Sequence, residues 1–258
     1  GGKRMPRMGR GEISIVEEDQ ARGLAFRNGE FDILNLEGPL APQALDDGRL
    51  RPELAARGIK LSRIVEPEIN YAYWNLQDPV VGGLAKEKIA LRRALAMSYN
   101  VDDEIRVVRN GQAIAARYPI PPGVVGHQPN WQSGIEFDPA AANALLDRFG
   151  YRRGADGWRT LPDGKPLVVR LSSRPDTLGR QQDELWKRSL DRIAVRLEVH
   201  KGTFAELRKA EKACQLQSAL ASVNSLLANT EAVQTGGAGQ SRALFTGPDN
   251  LPPEKLAR

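Results

Sequence analysis

Polar and apolar residues alternate through Glu12-Ile13-Ser14-Ile15-Val16, which predicts a strand with Ile13 and Ile15 on one face. The next stretch changes period. From Asp19 to Asn28, Ala21, Leu24 and Ala25 fall together at helical spacing, and Asn28-Gly29 closes the helix as a C-cap. Phe31-Asp32-Ile33-Leu34 predicts a short strand. Glu37 to Gly48 is rich in Pro and Gly and predicts a loop, followed by a short helix near Pro52 to Arg57. Ile59 to Val65 and Ile69 to Leu76 predict two strands separated by Glu66-Pro67-Glu68, the second of them aromatic and β-prone. A strong helix is predicted from about Leu84 to Ser98; Asn100 interrupts it, Asp102 to Arg109 resumes it, and Asn110-Gly111 ends it.

Tyr118 to Pro129 forms a proline-stiffened loop around Pro119-Ile120-Pro121-Pro122-Gly123. Asp138-Pro139 then supplies an N-cap with proline at the first helical position. Ala142, Leu145, Leu146 and Phe149 follow at helical spacing, and Gly150 stops the helix. Gly157 to Thr160 and Leu167 to Ser172 predict strands around the turn Pro162-Asp163-Gly164. Thr177 to Ala194 predicts a long helix with Leu178, Leu185 and Ile193 inside, and Val195 to Val199 a strand. Thr203-Phe204-Ala205-Glu206 fits a capping box for a helix with Phe204, Leu207 and Ala210 inward. Strand, helix and strand from Leu167 to Val199 make a βαβ unit with parallel strands and a right-handed crossover. After Gln217 the character changes: from Ser218 to Ala243 the only charges are Glu231 and Arg242, and Gly236-Gly237-Ala238-Gly239 favours flexibility. The expected organisation is one packed unit over residues 1–217 and a divergent, flexible tail over 218–258.

Composition narrows the chemistry. The 258 residues are 41% hydrophobic and 27% charged, an ordinary globular balance. The net charge is +5 with the two signs interleaved, which favours solubility over nucleic-acid binding. Cys214 is the one cysteine, so neither a disulfide within the chain nor a Cys-based zinc site is possible. No apolar run reaches the roughly 18 residues needed for membrane insertion. The first residues, Gly1 to Pro6, are basic without a following apolar core, and position 1 is not Met, so an incomplete or trimmed chain is expected. G-x-S-x-G, a GKS/GKT phosphate loop and H-E-x-x-H are all missing. The pairs Glu17-Glu18, Asp46-Asp47 and Asp102-Asp103 are sequence neighbours, which point about 100° apart on a helix and do not share a proton. His127 and His200 lack an evident acidic or thiol partner. Arg92, Arg93, Arg106, Arg109 and Arg117 are interspersed with Glu87, Asp102, Asp103 and Glu104, which reads as salt-bridged solvent faces. No catalytic residue, metal site or cofactor is expected.

Two features remain as candidates for binding. Tyr71, Tyr73 and Trp74 crowd the end of one strand just before Asn75; Tyr71 and Tyr73 share a face and Trp74 takes the other. They fit a core strand with a capping Trp, and equally a cleft wall of apolar rings with polar tips. Arg174 follows the strand Leu167 to Ser172 and precedes a helix, at the carboxyl end of a strand where open α/β sheets place ligands. Its guanidinium there fits a bidentate grip on a carboxylate, or a plain surface arginine.

Four stretches in series resemble the oligopeptide/dipeptide/nickel-binding family of periplasmic solute-binding proteins of ABC importers. Ala21 to Asp32, with Gly29-Glu30-Phe31-Asp32, looks like the family's helix and G-E-x-D entry; Lys88 to Asn100, with Arg92-Arg93-Ala94-Leu95, is similar to its R-x-A-L helix. Pro119-Ile120-Pro121-Pro122-Gly123 matches its P-x-P-P-G loop, and Phe137-Asp138-Pro139 through Gly150-Tyr151 matches its F/Y-D-P to G-Y helix. The likeness covers roughly residues 10 to 217. It implies an α/β lobe of the type II periplasmic-binding-protein fold, a mixed sheet with flanking helices, in a protein that closes two lobes on its ligand. It implies a periplasmic location, a peptide or peptide-like solute, permease subunits as partners and no enzymatic activity. It also implies that full chains are longer, with a signal and a further lobe, so that mainly one lobe is expected here. In dipeptide-binding relatives an Arg at the position of Arg174 meets the peptide carboxylate. The family's Asp-bearing stretch after the helix at Ala205 to Ala213, which receives the ligand's amine, has no counterpart in Gln215 to Asn224. A truncated family fragment with only a structural or interaction role is therefore the alternative expectation.

Overall fold

A computed structural model of the chain describes residues 9–16, 18–36, 38–63, 65, 67–131 and 134–224. Helix α1 spans Asp19–Arg27, and Gly29 behind it takes φ +82°. A 3-10 turn at Gly38–Leu40 leads into α2, Ala41–Ala44, and then a hairpin of β1, Leu45–Asp46, and β2, Arg49–Leu50. Asp47 and Gly48 at its tip both have positive φ, 45° and 71°, the two-residue geometry that follows strand twist. Then come α3, Pro52–Ala56, and β3, Glu68–Trp74. Helix α4, Lys86–Ser98, is followed by α5, Val101–Asp103, which runs on as a π turn over Glu104–Val108. The remaining elements are α6 (Pro139–Arg148), β4 (Val168–Ser173), α7 (Thr177–Arg192), β5 (Arg196–Lys201), α8 (Phe204–Lys212) and β6 (Ser218–Asn224).

The sheet is mixed, with strand order β3-β6-β4-β5. Strands β4 and β5 are parallel, β6 is parallel to β4, and β3 is antiparallel to β6. The architecture is thus the expected α/β sheet with flanking helices. Helices α4, α6 and α7 cover one face. There Leu91, Leu95, Leu146, Leu167, Val169, Leu171, Leu190 and Val195 form a continuous core. The start of α6 follows its sequence signal, Asp138 accepting from Ala141 N at 2.8 Å, and α7 is capped by Asp176, which accepts from Gly179 N at 2.7 Å. Thr203 and Glu206 form the capping box of α8.

Several expectations are corrected. Glu12 to Val16 is not a strand: Ile13 and Ile15 are 95% and 91% exposed, and an extended stretch becomes a strand only beside a hydrogen-bonding neighbour. Phe31 to Leu34 and the described residues of Ile59 to Val65 carry no strand for the same reason. The stretch expected as a loop up to Gly48 contains α2 and one arm of a hairpin. Phe204 faces solvent at the first turn of α8; on α7 Leu185 and Ile193 are buried as expected, Leu178 is only half-buried, and the inner stripe also takes in Gln182, Trp186, Ser189 and Leu190. Arg92 is buried, not on a solvent face, and donates to Val81 O at 2.6 Å and Gly83 O at 2.9 Å. Packed structure also extends past residue 217: Ser218–Asn224 is a central strand, held by β3 and β4 on its two sides. The glycine run at 236–239 and the charges Glu231 and Arg242 lie outside the described residues.

Candidate functional site

Arg174 sits immediately beyond the carboxyl end of β4, as the sequence implies. Its side chain is 55% exposed, and Nε lies 3.0 Å from Asp176 Oδ2. Among the described residues Nη1 and Nη2 make no hydrogen bond, and Asp176 is the ion-pair partner. The same backbone is fixed from behind. Lys201 Nζ, at the end of β5, donates to Arg174 O at 3.1 Å and to Ser173 Oγ at 3.0 Å, and it pairs with Asp183 of α7. Gly202 N donates to Ser173 O at 3.2 Å. Gly179 lets α7 approach so closely that a Cβ there would collide with the Arg174 carbonyl. Asp19, the first residue of α1, lies in the same electrostatic neighbourhood. Burial pushes its carboxyl above the usual range; Arg22 and, more weakly, Arg174 oppose the shift, while Asp176 adds to it.

The strand residues divide. Tyr71 and Tyr73 lie on the α8 side with ring centroids 6.5 Å apart. Burial raises the Tyr71 phenol to about 12, helped by the nearby Glu211 carboxylate, and raises Tyr73 further for the same two reasons. Trp74 points the other way. It meets Trp186 edge-on at 6.1 Å, and Trp186 stacks on Tyr99 at 4.3 Å, so Trp74 belongs to the core. Asn75 is engaged in packing the chain: Nδ2 donates to Cys214 O and Leu216 O at 3.1 and 3.0 Å, and Oδ1 accepts from Gln77 N at 2.9 Å. It clamps the turn that precedes β6.

Strand register decides which candidates belong together. Ser172 is level with Ala219 and Tyr73, and Leu171 with Ser218 and Trp74. Tyr71 lies opposite Ala221, two residues further along β6 than Ala219, and Arg174 follows two residues after Ser172, beyond the end of β4. Trp74 and Asn75 lie toward the other end of the sheet. Arg174 and Tyr71 thus lie toward the carboxyl end of β6, and Trp74 toward its start. The residues that sequence reasoning missed are Ser173, Asp183 and Lys201. Asp183 had a signal, a carboxylate on the inner stripe of α7 between Gly179 and Trp186.

Other sites are less suited to chemistry. His127 Nδ1 lies 2.6 Å from Ile120 O, so the ring is tied to a carbonyl, which only accepts, and His200 is exposed on β5. Arg106 pairs with Asp103, and Arg109 with Glu104, as expected. A concavity of about 430 Å³ between α4 and α6 is floored by Ile89, Met97, Leu145 and Phe149, away from Arg174. No group of three or more His, Cys, Asp or Glu among the described residues could hold a metal ion. None of their helices is long and apolar enough to cross a membrane.

A mixed sheet with helices on its faces is the architecture of a lobe of a periplasmic-binding-protein fold. Solved structures agree. The chain matches the oligopeptide-binding protein AppA from Bacillus subtilis, solved with a nonapeptide, at TM-score 0.69 and 13% identity over 81% of this chain and 40% of that one. It matches NikA from Brucella suis, solved with Fe(III)-EDTA, at TM-score 0.66 and 21% identity over 95% of this chain and 47% of that one. It matches a dipeptide-binding protein from Pseudoalteromonas sp. SM9913, solved with Met-Leu, at TM-score 0.63 and 19% identity over 81% and 37%. These likenesses fix the fold.

The family model for the middle region of bacterial extracellular solute-binding proteins, family 5, matches residues 2–236, and the chain belongs to that family. The di/tripeptide-binding protein 2 of Pseudomonas aeruginosa (strain UCBPP-PA14) is 30% identical over 205 residues, 78% of this chain and 34% of the relative. The chain thus spans about a third of that relative's length.

Proposed function

We propose that this chain provides a ligand-gripping lobe of the substrate-binding component of an ABC importer, capturing peptides or peptide-like solutes in the periplasm for delivery to permease subunits. Its action is binding and closure, with no bond chemistry and no cofactor: ligand shifts the population from open to closed forms. The observation that carries the reading is Arg174, a half-exposed guanidinium just past the carboxyl end of β4 whose Nη groups make no hydrogen bond to a described residue. That geometry suits a ligand carboxylate, with Tyr71, toward the same end of β6, to supply apolar contact. The di/tripeptide-binding relative and the peptide-bound structural neighbours support peptides as the substrate class.

Calorimetric titration with dipeptides and tripeptides, each as free acid and as C-terminal amide, tests it. Heat for the acids and little for the amides is expected; equal response to both sinks the carboxylate role. One observation favours a second reading, a family member that does not bind on its own: Trp74 and Asn75 are occupied by packing and backbone clamping. In that case neither acids nor amides give heat.

A further inference from the structure

The Arg174 guanidinium reaches solvent from a turn whose backbone is held by groups that do not themselves point at a ligand. Lys201 Nζ meets three acceptors at once: Ser173 Oγ at 3.0 Å, the Arg174 carbonyl at 3.1 Å and the Asp183 carboxylate. Ser173 and Asp183 are buried, at 2% and 7% exposure, so the ammonium bridges β4 to α7 from the end of β5. Asp183 Oδ1 is buried without a hydrogen-bond partner, which makes Lys201 the carboxylate's sole compensating cation in the described structure. A buried carboxylate is not retained cheaply on the stripe of a helix that otherwise packs Leu185, Trp186 and Leu190. The arrangement is reinforced from the opposite side. Asp176 takes both the Arg174 Nε and the Gly179 N–H, and Gly179 leaves room for the Arg174 carbonyl.

We propose that Lys201 and Asp183 are positioning residues for the ligand carboxylate. They lock the Ser173–Arg174 backbone so that the arginine fork is presented pre-organised at the mouth of the lobe. This rests on the carboxylate reading of Arg174 given above. A bidentate contact keeps its strength only when the fork is held in place, so loosening the turn weakens discrimination for the carboxylate without removing the charge.

The test uses the full chain. Lys201→Met alone leaves Asp183 buried and uncompensated, so the main variant is the double change Asp183→Asn with Lys201→Met, beside Lys201→Arg as the conservative rescue. The first measurement needs no ligand: hydrogen exchange of the segment from Ser173 to Arg180. Exchange there rises at least tenfold in the double variant and returns toward the parent rate in Lys201→Arg; unchanged exchange overturns the proposal. The second is titration with Leu-Leu and its C-terminal amide. The parent chain prefers the acid by about ten- to a hundredfold, the range of a charge-assisted hydrogen bond. The double variant keeps Arg174 yet narrows that preference to within about threefold. A parent that prefers the acid alongside a double variant that prefers it equally overturns the positioning role alone. A parent with no acid preference overturns the carboxylate reading, and the role of Lys201 with it, whatever the exchange shows.

Discussion

Gln217 Oε1 accepts the backbone N–H of Arg170 at 2.6 Å. The other end of the same amide donates to Asp78 Oδ1 at 3.2 Å, and Gln217 is buried. One side chain therefore completes the ladder where β6 has not yet begun to pair with β4, and ties both to the turn after β3. Gln217→Ala leaves the Arg170 amide without its acceptor. We expect a loss of about 1–3 kcal/mol, the desolvation cost of a buried donor, read as a lower urea midpoint at unchanged slope. A midpoint within error of the parent would show that the amide is reached by water.

That same residue marks where the sequence stopped being readable. Gln217 was the expected end of the packed unit because the stretch behind it is nearly chargeless. A chargeless run bounded by no turn signal fits a tail as well as a strand buried between two others, and Ser218–Asn224 is the strand. Elements with their own local chemistry were legible. Asp138-Pro139 before α6, the Thr203–Glu206 box before α8 and the βαβ pairing of β4 with β5 all follow from residues within one turn or one crossover. The Asp47-Gly48 hairpin carries a local turn signal, but the prolines at 39 and 42 make the whole stretch read as a loop. Glu12 to Val16 failed for the opposite reason: its alternation is real, but strand formation depends on a neighbour that period alone does not supply. At the site, Arg174 followed from its place after a strand. The split between Tyr71 and Trp74 followed from alternation. The occupation of Asn75 by two carbonyls about 140 residues away did not, because it exists only once β6 lies beside β3.

Arg159 offers a test of how the end of α7 is joined to α6. It is 1% exposed, with Nε donating to Ile193 O at 2.8 Å, Nη2 to Asn143 Oδ1 at 2.7 Å, and Nη1 to Asp147 at 2.6 Å and to the Tyr151 carbonyl. Most of these acceptors are neutral, and the Asp147 side chain is largely exposed. The fork, more than the charge pair, holds the two segments. Arg159→Lys is therefore not conservative, and we expect a loss of about 2–4 kcal/mol from the acceptors left unpaired. Asp147→Asn removes only a solvent-screened partner and should cost under about 1 kcal/mol. Denaturant unfolding of the two variants decides it; equal losses would place the stability in the ion pair instead.

Alkali should unfold the protein through its tyrosines. Four of the five are held above the usual phenol value near 10. Burial is the leading cause in each, with Glu211 adding to it at Tyr71 and Tyr73, Glu104 at Tyr99 and Glu87 at Tyr151. Tyr71 and Tyr151 reach about 12, and Tyr73 and Tyr99 are pushed beyond that. A raised folded-state value means that the folded chain holds its phenolic proton more tightly than the unfolded one. The stabilisation is thus complete below about pH 10 and drains away as pH rises from there toward 12. Absorbance at 295 nm should therefore rise in one cooperative step that coincides with the loss of helical circular dichroism. Tyr99→Phe should move that step to higher pH, because it removes a phenol pushed far above its usual value while keeping the ring on Trp186. Independent ionisation of the phenols before any change in circular dichroism would mean that these rings are open to water in the folded state.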